Sequence, residues 1–474
     1  MNTIIFTMQL CDFPAEILAV VLRLSLSDHD DEGCAMLNLQ LVAVCRRLRC
    51  IAFPLVYEEA YVDLSHGEPG DNTLNGQWAR GGWRTLSNVH LIASLGDTGL
   101  VRRMAIDVES GHGHLVGLRH VVEYLRSTAS EWPSVRHLRV SLSDVNVDPP
   151  AMLDDEDDAG EFAGLALALR AMIPRAHVLD IVDTSGLPVP TFGEQLAQLY
   201  HQQLQMLRLT MCRGGPPTMG PGPAAQDGRI DQLGFPLLRS ARIHCDSGPC
   251  RVLTSAVFPD LMDSLDIQVS APVWQSISHM ELPATTRLKL GILSETRNDT
   301  RLPLSFNQLL TNSRWCDEVT LHAFHGPSMF FPGIALTGLT KLVVEMRISA
   351  NVLLGIIGKL PRLAILIALR STRDPILADV AIPGPGGRHP VEPRGTKLQT
   401  LSYGQLDTHE LSDVDVGLYK YFLLKFPSLR WFGAEDELTK KLVPFVEDYG
   451  EWYPHLARVI FYKIQWRVYH WQAE

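Results

Sequence analysis

The chain has 474 residues, 46% of them hydrophobic and 20% charged, and carries a formal net charge of -11. This much apolar material can bury a large core, arranged as two or three domains or as one extended repeat array. The acidic balance argues against nucleic-acid backbones and acidic membrane surfaces as main partners, since either needs a basic footprint.

The first predicted elements are helical. Asp12 is placed to cap a helix with Pro14 in its first turn, where a missing N–H costs nothing. Ile17, Leu18, Val21 and Leu22 then recur on one apolar face. A polar stretch from Ser25 to Gly33 interrupts that face. Leu37, Leu41, Val44, Leu48 and Ile51 resume helical spacing, with Arg46, Arg47 and Arg49 on the solvated side, until Pro54 ends the helix. A helical hairpin this short has little interior of its own, so it must pack on the next domain, on a partner, or on both.

Three phrases in this stretch, Phe13-Pro14-Ala15-Glu16-Ile17-Leu18, Val44-Cys45-Arg46-Arg47-Leu48 and Pro54-Leu55-Val56-Tyr57, resemble the F-box family, in particular the F-box proteins of mushroom-forming fungi. Phe13 stands where leucine is usual and Leu48 where tryptophan or phenylalanine is common, both apolar-for-apolar. The resemblance implies a helical F-box module over residues 11–61 that binds a Skp-type adaptor. Phe13, Pro14, Ile17, Leu18, Leu41, Val44 and Leu48 are the residues it implies for the adaptor face, some of them shared with the hairpin's own core. The alternative is a helical hairpin that caps a larger domain.

Residues 62–83, rich in Gly, Asp and Asn, are expected to form a connecting loop, with the main body over 84–474. Met104–Val108 reads as a strand. Further strands are expected at Val135–Val140, Val178–Ile181, Leu204–Leu209, Met262–Ile267, Thr286–Leu290 and Glu318–Leu321. Leu339–Val344, Leu363–Leu366, Lys397–Leu401, Leu429–Phe432 and Leu456–Ile460 complete the series. Helices are expected at His120–Ala129, Phe162–Met172, Phe192–His201 and Val352–Leu360. Prolines at Trp132-Pro133, Phe235-Pro236, Leu360-Pro361 and Phe426-Pro427 end helices and turn the chain toward a strand. Residues 65–83, 148–160, 213–228 and 383–395 read as surface loops, the second with the acidic run Asp154-Asp155-Glu156-Asp157-Asp158.

The strands recur roughly 23 to 41 residues apart, overlapping the period of leucine-rich repeats. The Pro-x-Leu phrases resemble the repeat domains of fungal F-box proteins, which implies an irregular leucine-rich-repeat-like αβ solenoid after the helical module. A non-repetitive α/β domain with a mixed sheet is the alternative. The aromatic tail, Trp452, Tyr453, Phe461, Tyr462, Trp466, Tyr469 and Trp471, either covers the terminal repeat or forms an interaction hot spot.

Reactive chemistry has little support. Gly111-His112-Gly113 lacks the third glycine of a dinucleotide loop, where Val116 stands. His112, His114 and His120 read as loop histidines rather than metal ligands, and Asp144, Asn146 and Asp148 meet Pro149 where a calcium loop needs glycine. No G-x-S-x-G, P-loop or H-E-x-x-H phrase is present. The eight cysteines form no C-x-x-C pair; Cys245 and Cys250 are close enough to bridge, but reduced thiols are expected. No apolar run is long enough to span a membrane, and Met1–Leu10 lacks the basic start of a signal peptide, so a cytoplasmic or nuclear location is expected.

Together these imply a non-catalytic subunit with no cofactor and no metal. As the resemblance has it, the chain is the substrate-recognition part of an SCF-type cullin-RING ubiquitin ligase, with partners in the Skp-type adaptor, the cullin complex and an unknown target protein. A repeat scaffold that binds protein without recruiting a ligase is the alternative.

Overall fold

The computed structural model describes Leu18 and residues 58–66, 77–78, 83–94, 98–109, 114–143, 156–183, 192–211, 232–245, 250–270, 273–274, 277, 280–292, 315–323, 338–370, 397–404, 413–434 and 436–462. The chain divides into two compact units, Met1–Leu238 and Arg239–Glu474.

In the first unit β1 (Glu59–His66), β2 (Gln77–Trp78), β3 (Trp83–Ser87) and α1 (Val89–Ser94) precede β4 (Arg103–Glu109), α2 (His114–Thr128), β5 (His137–Ser143) and α3 (Glu156–Met172). Then come β6 (Val178–Asp183), α4 (Phe192–Tyr200), β7 (Met206–Met211) and the short β8 (Leu233–Gly234). The sheet order is β7-β6-β5-β4-β1-β3-β2, parallel from β7 to β1 and antiparallel thereafter. Parallel neighbours need a crossover, and α2, α3 and α4 supply it. Asn88 fixes the start of β1, accepting from the Tyr61 N–H at 2.9 Å and donating to the Glu59 carbonyl at 2.9 Å.

The second unit runs β9 (Ser240–Cys245), α5 (Arg251–Ser255), β10 (Ala256–Val257), β11 (Leu261–Val269), β12 (Ala284–Ile292), β13 (Cys316–Ala323) and β14 (Lys341–Ile348). It continues through α6 (Ala350–Lys359), β15 (Ile365–Arg370), β16 (Thr400–Gly404), α7 (Asp413–Lys425), β17 (Trp431–Gly433), α8 (Asp436–Tyr449) and β18 (Ile460–Tyr462). Its sheet order, β18-β17-β16-β15-β14-β13-β12-β11-β9, follows the chain, and every pair is parallel.

Alternation decides which face is buried. Leu265, Leu288, Val319, Leu342, Leu366, Leu401 and Phe432 are register partners, each at most 1% exposed. The residues between them point to the opposite face, which is partly exposed at Asp266 and Lys289 and buried at Gln268, Gly291 and Ser402. Five strands are entered through one turn: the Val135, Leu238, Leu363, Leu429 and Leu456 N–H groups bond the carbonyls of Trp132, Phe235, Leu360, Phe426 and Tyr453. In each, proline holds the second position, where its fixed φ suits the turn. Trp132, Phe235, Leu360 and Phe426 are buried beneath these turns.

This arrangement corrects the expected fold class, a small helical F-box module followed by an irregular leucine-rich-repeat-like αβ solenoid. The described chain is an α/β protein of mostly parallel sheets, and residues 59–61, the last of the expected module, are the first of β1. The physical reason is period: Ala60, Val62 and Leu64 alternate, are buried, and pair in register with Met104, Ile106 and Val108. Apart from Leu18, residues 11–57 lie outside the described residues.

Smaller corrections follow the same logic. Residues 62–83 carry the rest of β1, β2 and the first residue of β3, and α3 begins inside the expected acidic loop. His114 and His120 belong to α2 rather than to a loop. Leu456–Arg458 is a single 3-10 turn, with the strand beginning two residues later. Among the described residues no helix is long and apolar enough to cross a membrane.

Candidate protein-interaction faces

In each unit the sheet buries apolar side chains on one face and carries polar ones on the other, partly exposed for the most part but buried at His244, Gln268 and Ser402. In the first unit the open face carries Ala105, Arg139, Asp180 and Arg208 in one register row, with Arg103 and His137 in the row before. Asp180 pairs with Arg208 at 3.6 Å. Burial lowers the His137 imidazole below its usual value, and the charges of Arg103, Arg208 and Arg139 add to this against the opposing Asp180.

In the second unit one row reads Arg242, Asp266, Lys289, Thr320, Val343, Ile367, Ser402. The adjacent row reads His244, Gln268, Gly291, His322, Glu345. Asp266 is the hub: Arg242 Nε and His244 Nε2 lie 3.4 Å from its Oδ2, and Gln268 Nε2 donates to Oδ1 at 3.0 Å. Burial pushes its carboxyl up, but the His244 and Gln268 hydrogen bonds and the charges of His244 and Lys289 outweigh this and hold it below the usual range. Glu345 has the same balance: burial raises it, while the hydrogen bond and charge of His322, 2.5 Å away, bring it lower, helped by Lys289.

Gly291 completes this row by lacking a side chain. A Cβ there would stand 2.9 Å from Gln268 Cγ and 3.1 Å from the His322 carbonyl. Behind it, the buried Trp274 donates its indole N–H to the Gly291 carbonyl at 2.9 Å.

A third row crosses the starts of the strands: Arg287, Glu318, Lys341, Ile365, Thr400, Trp431, Ile460. Glu318 and Lys341 form an ion pair, and beyond them the row turns apolar. Trp431 is 45% exposed and Ile460 49%.

Among the described residues no group of three or more His, Cys, Asp or Glu can hold a metal ion. Cys245, Cys250 and Cys316 are buried and form no disulfide, and burial pushes the Cys316 thiol up to about 11, away from the thiolate a nucleophile needs.

Of the residues implied for the adaptor face, Leu18 is helical and buried. Phe13, Pro14, Ile17, Leu41, Val44 and Leu48 lie outside the described residues, as do His112, Asp144, Asn146 and Asp148. Of the aromatic tail, Trp452 is exposed, while Tyr453, Phe461 and Tyr462 are half-buried. The polar rows of the second unit were missed from sequence because alternating polar residues read as solvent-facing; only the helix-facing leucines on the same strands signalled them. Compared with known proteins, the chain matches no family model and no curated protein.

Proposed function

We propose that this chain is a target-recognition protein whose open sheet faces bind another protein, and that it serves as the substrate-recognition subunit of an SCF-type cullin-RING ubiquitin ligase. The observation that carries the first part is the parallel sheet with one face buried and the other lined by ordered rows of charged and apolar side chains. The second part is supported by the F-box-like phrases at residues 13–18, 44–48 and 54–57, which suit capture of a Skp-type adaptor. Its mechanism is proximity: a target held beside a ubiquitin-charged enzyme reacts at raised effective concentration, and the receptor supplies no nucleophile. Such a complex works in the cytoplasm or nucleus.

A pull-down of the full chain with purified Skp adaptor tests this, alongside an Ile17→Asp, Leu41→Asp double variant checked for folding by circular dichroism. Capture by the wild type that the double variant loses is the expected result. A folded wild type that captures no adaptor removes the ligase role and leaves a protein-binding scaffold.

A further inference from the structure

The start of the second unit's last strands is basic in a chain that is acidic overall. Residues 338–344, 360–367, 397–402, 426–433 and 454–462 hold Lys341, Arg362, Lys397, Arg430 and Arg458 and no Asp or Glu. Lys341 is engaged by Glu318. Arg362, Lys397, Arg430 and Arg458 are exposed, and none forms an ion pair with a described residue. Acidic residues Asp436, Glu437, Glu447, Asp448 and Glu451 are carried by α8 and the turn after it.

The same strands present the apolar end of the third row. Ile365, Thr400, Trp431 and Ile460 are register partners across β15, β16, β17 and β18. The same strands and α7 carry a packed aromatic cluster. Tyr403, Tyr419, Phe422, Phe426 and Phe432 are buried, with Tyr403 and Phe422 edge-to-face at 5.8 Å and Tyr419 and Phe432 at 6.0 Å. The Tyr403 hydroxyl donates to the Ile348 carbonyl at 2.9 Å. An exposed tryptophan over a packed aromatic base, at strand starts that also carry exposed cations, has the composition of an interaction hot spot.

We propose that the open face of β15–β18 docks an extended, acidic segment of a partner protein, with an aliphatic side chain against Trp431 and Ile460 and carboxylates against Arg362, Lys397, Arg430 and Arg458. Charge complementarity selects the occupant: a basic segment meets four exposed cations that form no ion pair with a described residue, and a neutral apolar one leaves them unused. The row crosses three inter-strand gaps, about 14 Å, which about five extended residues span. This rests on the target-recognition reading and names its chemistry.

The test uses the full chain and two fluorescein-labelled peptides of about ten residues, one alternating glutamate with leucine, the other lysine with leucine, read by fluorescence anisotropy. The expected result is binding of the glutamate peptide alone, weakened by salt. Trp431→Ser and, separately, an Arg362→Glu, Arg430→Glu double variant should each weaken it about tenfold or more while melting like the wild type. Absence of binding, equal binding of the lysine peptide, or variants that bind as well as wild type would overturn the proposal. Binding seen only after removal of residues 463–474 overturns it in favour of that segment as occupant, and a self-association lost in Trp431→Ser does so in favour of a second copy. Adaptor capture is scored separately, so a failed docking face and a failed ligase role give different results.

Discussion

Asp266 accepts a hydrogen bond from Gln268 and lies within ion-pair distance of Arg242 and His244, and its stability contribution has a definite sign. Its folded-state pKa lies below the unfolded value, so the stabilisation is fully present above the ordinary carboxylate range, about pH 4, and is lost as pH falls through the lowered value. Glu345, lowered beside His322, acts in the same direction. Asp266→Asn is expected to cost about 1 to 3 kcal/mol at pH 7, and the deficit should shrink as the solution is acidified. Urea denaturation of wild type and variant at neutral and acidic pH checks this; a deficit independent of pH would mean that the side chain acts through shape. None of this was legible in the sequence, where Asp266 and His244 sit among alternating polar residues and only the strand pairing brings them together.

At the scale of the element, α4 shows how closely helix and sheet approach. Phe192, Gly193, Leu196, Ala197 and Tyr200 are buried, and a Cβ on Gly193 would stand 2.7 Å from Ile181 Cγ2 and 3.2 Å from Leu209 Cδ1. Ile181 is β-branched and held in β6, so it has little room to yield. Gly193→Ala should therefore destabilise the protein by about 1 to 3 kcal/mol, measured as a drop in Tm, despite alanine's better helix propensity. Tyr200 at the end of α4 is locked by its hydroxyl donating to the Ile173 carbonyl at 2.7 Å and by Arg170 lying 4.5 Å over its ring. Helices of this kind were readable from apolar spacing, as α2, α3, α4 and α6 were. The others were not: α7 is apolar nearly all round, and α8 carries Pro444, tolerated because it sits on an exposed side where the carbonyl it frees meets water.

For the whole molecule, the sequence was read well wherever a helix-facing leucine or valine alternated and a proline turn stood before it, as at β5, β15 and β17. It was read badly where another signal competed. In β1 the alternation of Ala60, Val62 and Leu64 was subordinated to the helical phrases upstream. In β9 that of Ala241, Ile243 and Cys245 was passed over although Phe235-Pro236 announces it. The open-face rows were not legible at all, since side-chain partners across parallel strands lie a whole crossover apart in sequence. Backbone exchange should follow the ladders. Amides of β12 and β13, each paired on both sides, should exchange slowest, and those of the three-residue terminal β18 much faster. Hydrogen-exchange mass spectrometry resolves this, and a slow β18 would show that its outer edge is covered.

The stacked strand starts bear on how such a chain can change. Amide groups of Ala364, Gln399 and Arg430 each bond the carbonyl of the residue one strand earlier, Thr340, Ala364 and Gln399. Alignment is therefore fixed where a strand begins, and the length of chain since the last one is immaterial to it. Lys341 to Ile365 and Ile365 to Thr400 are different distances in sequence yet equivalent neighbours in the sheet. Residues can be gained or lost between strands without shifting any side chain on the open face, so the connecting segments and the rows they join are free to diverge at separate rates.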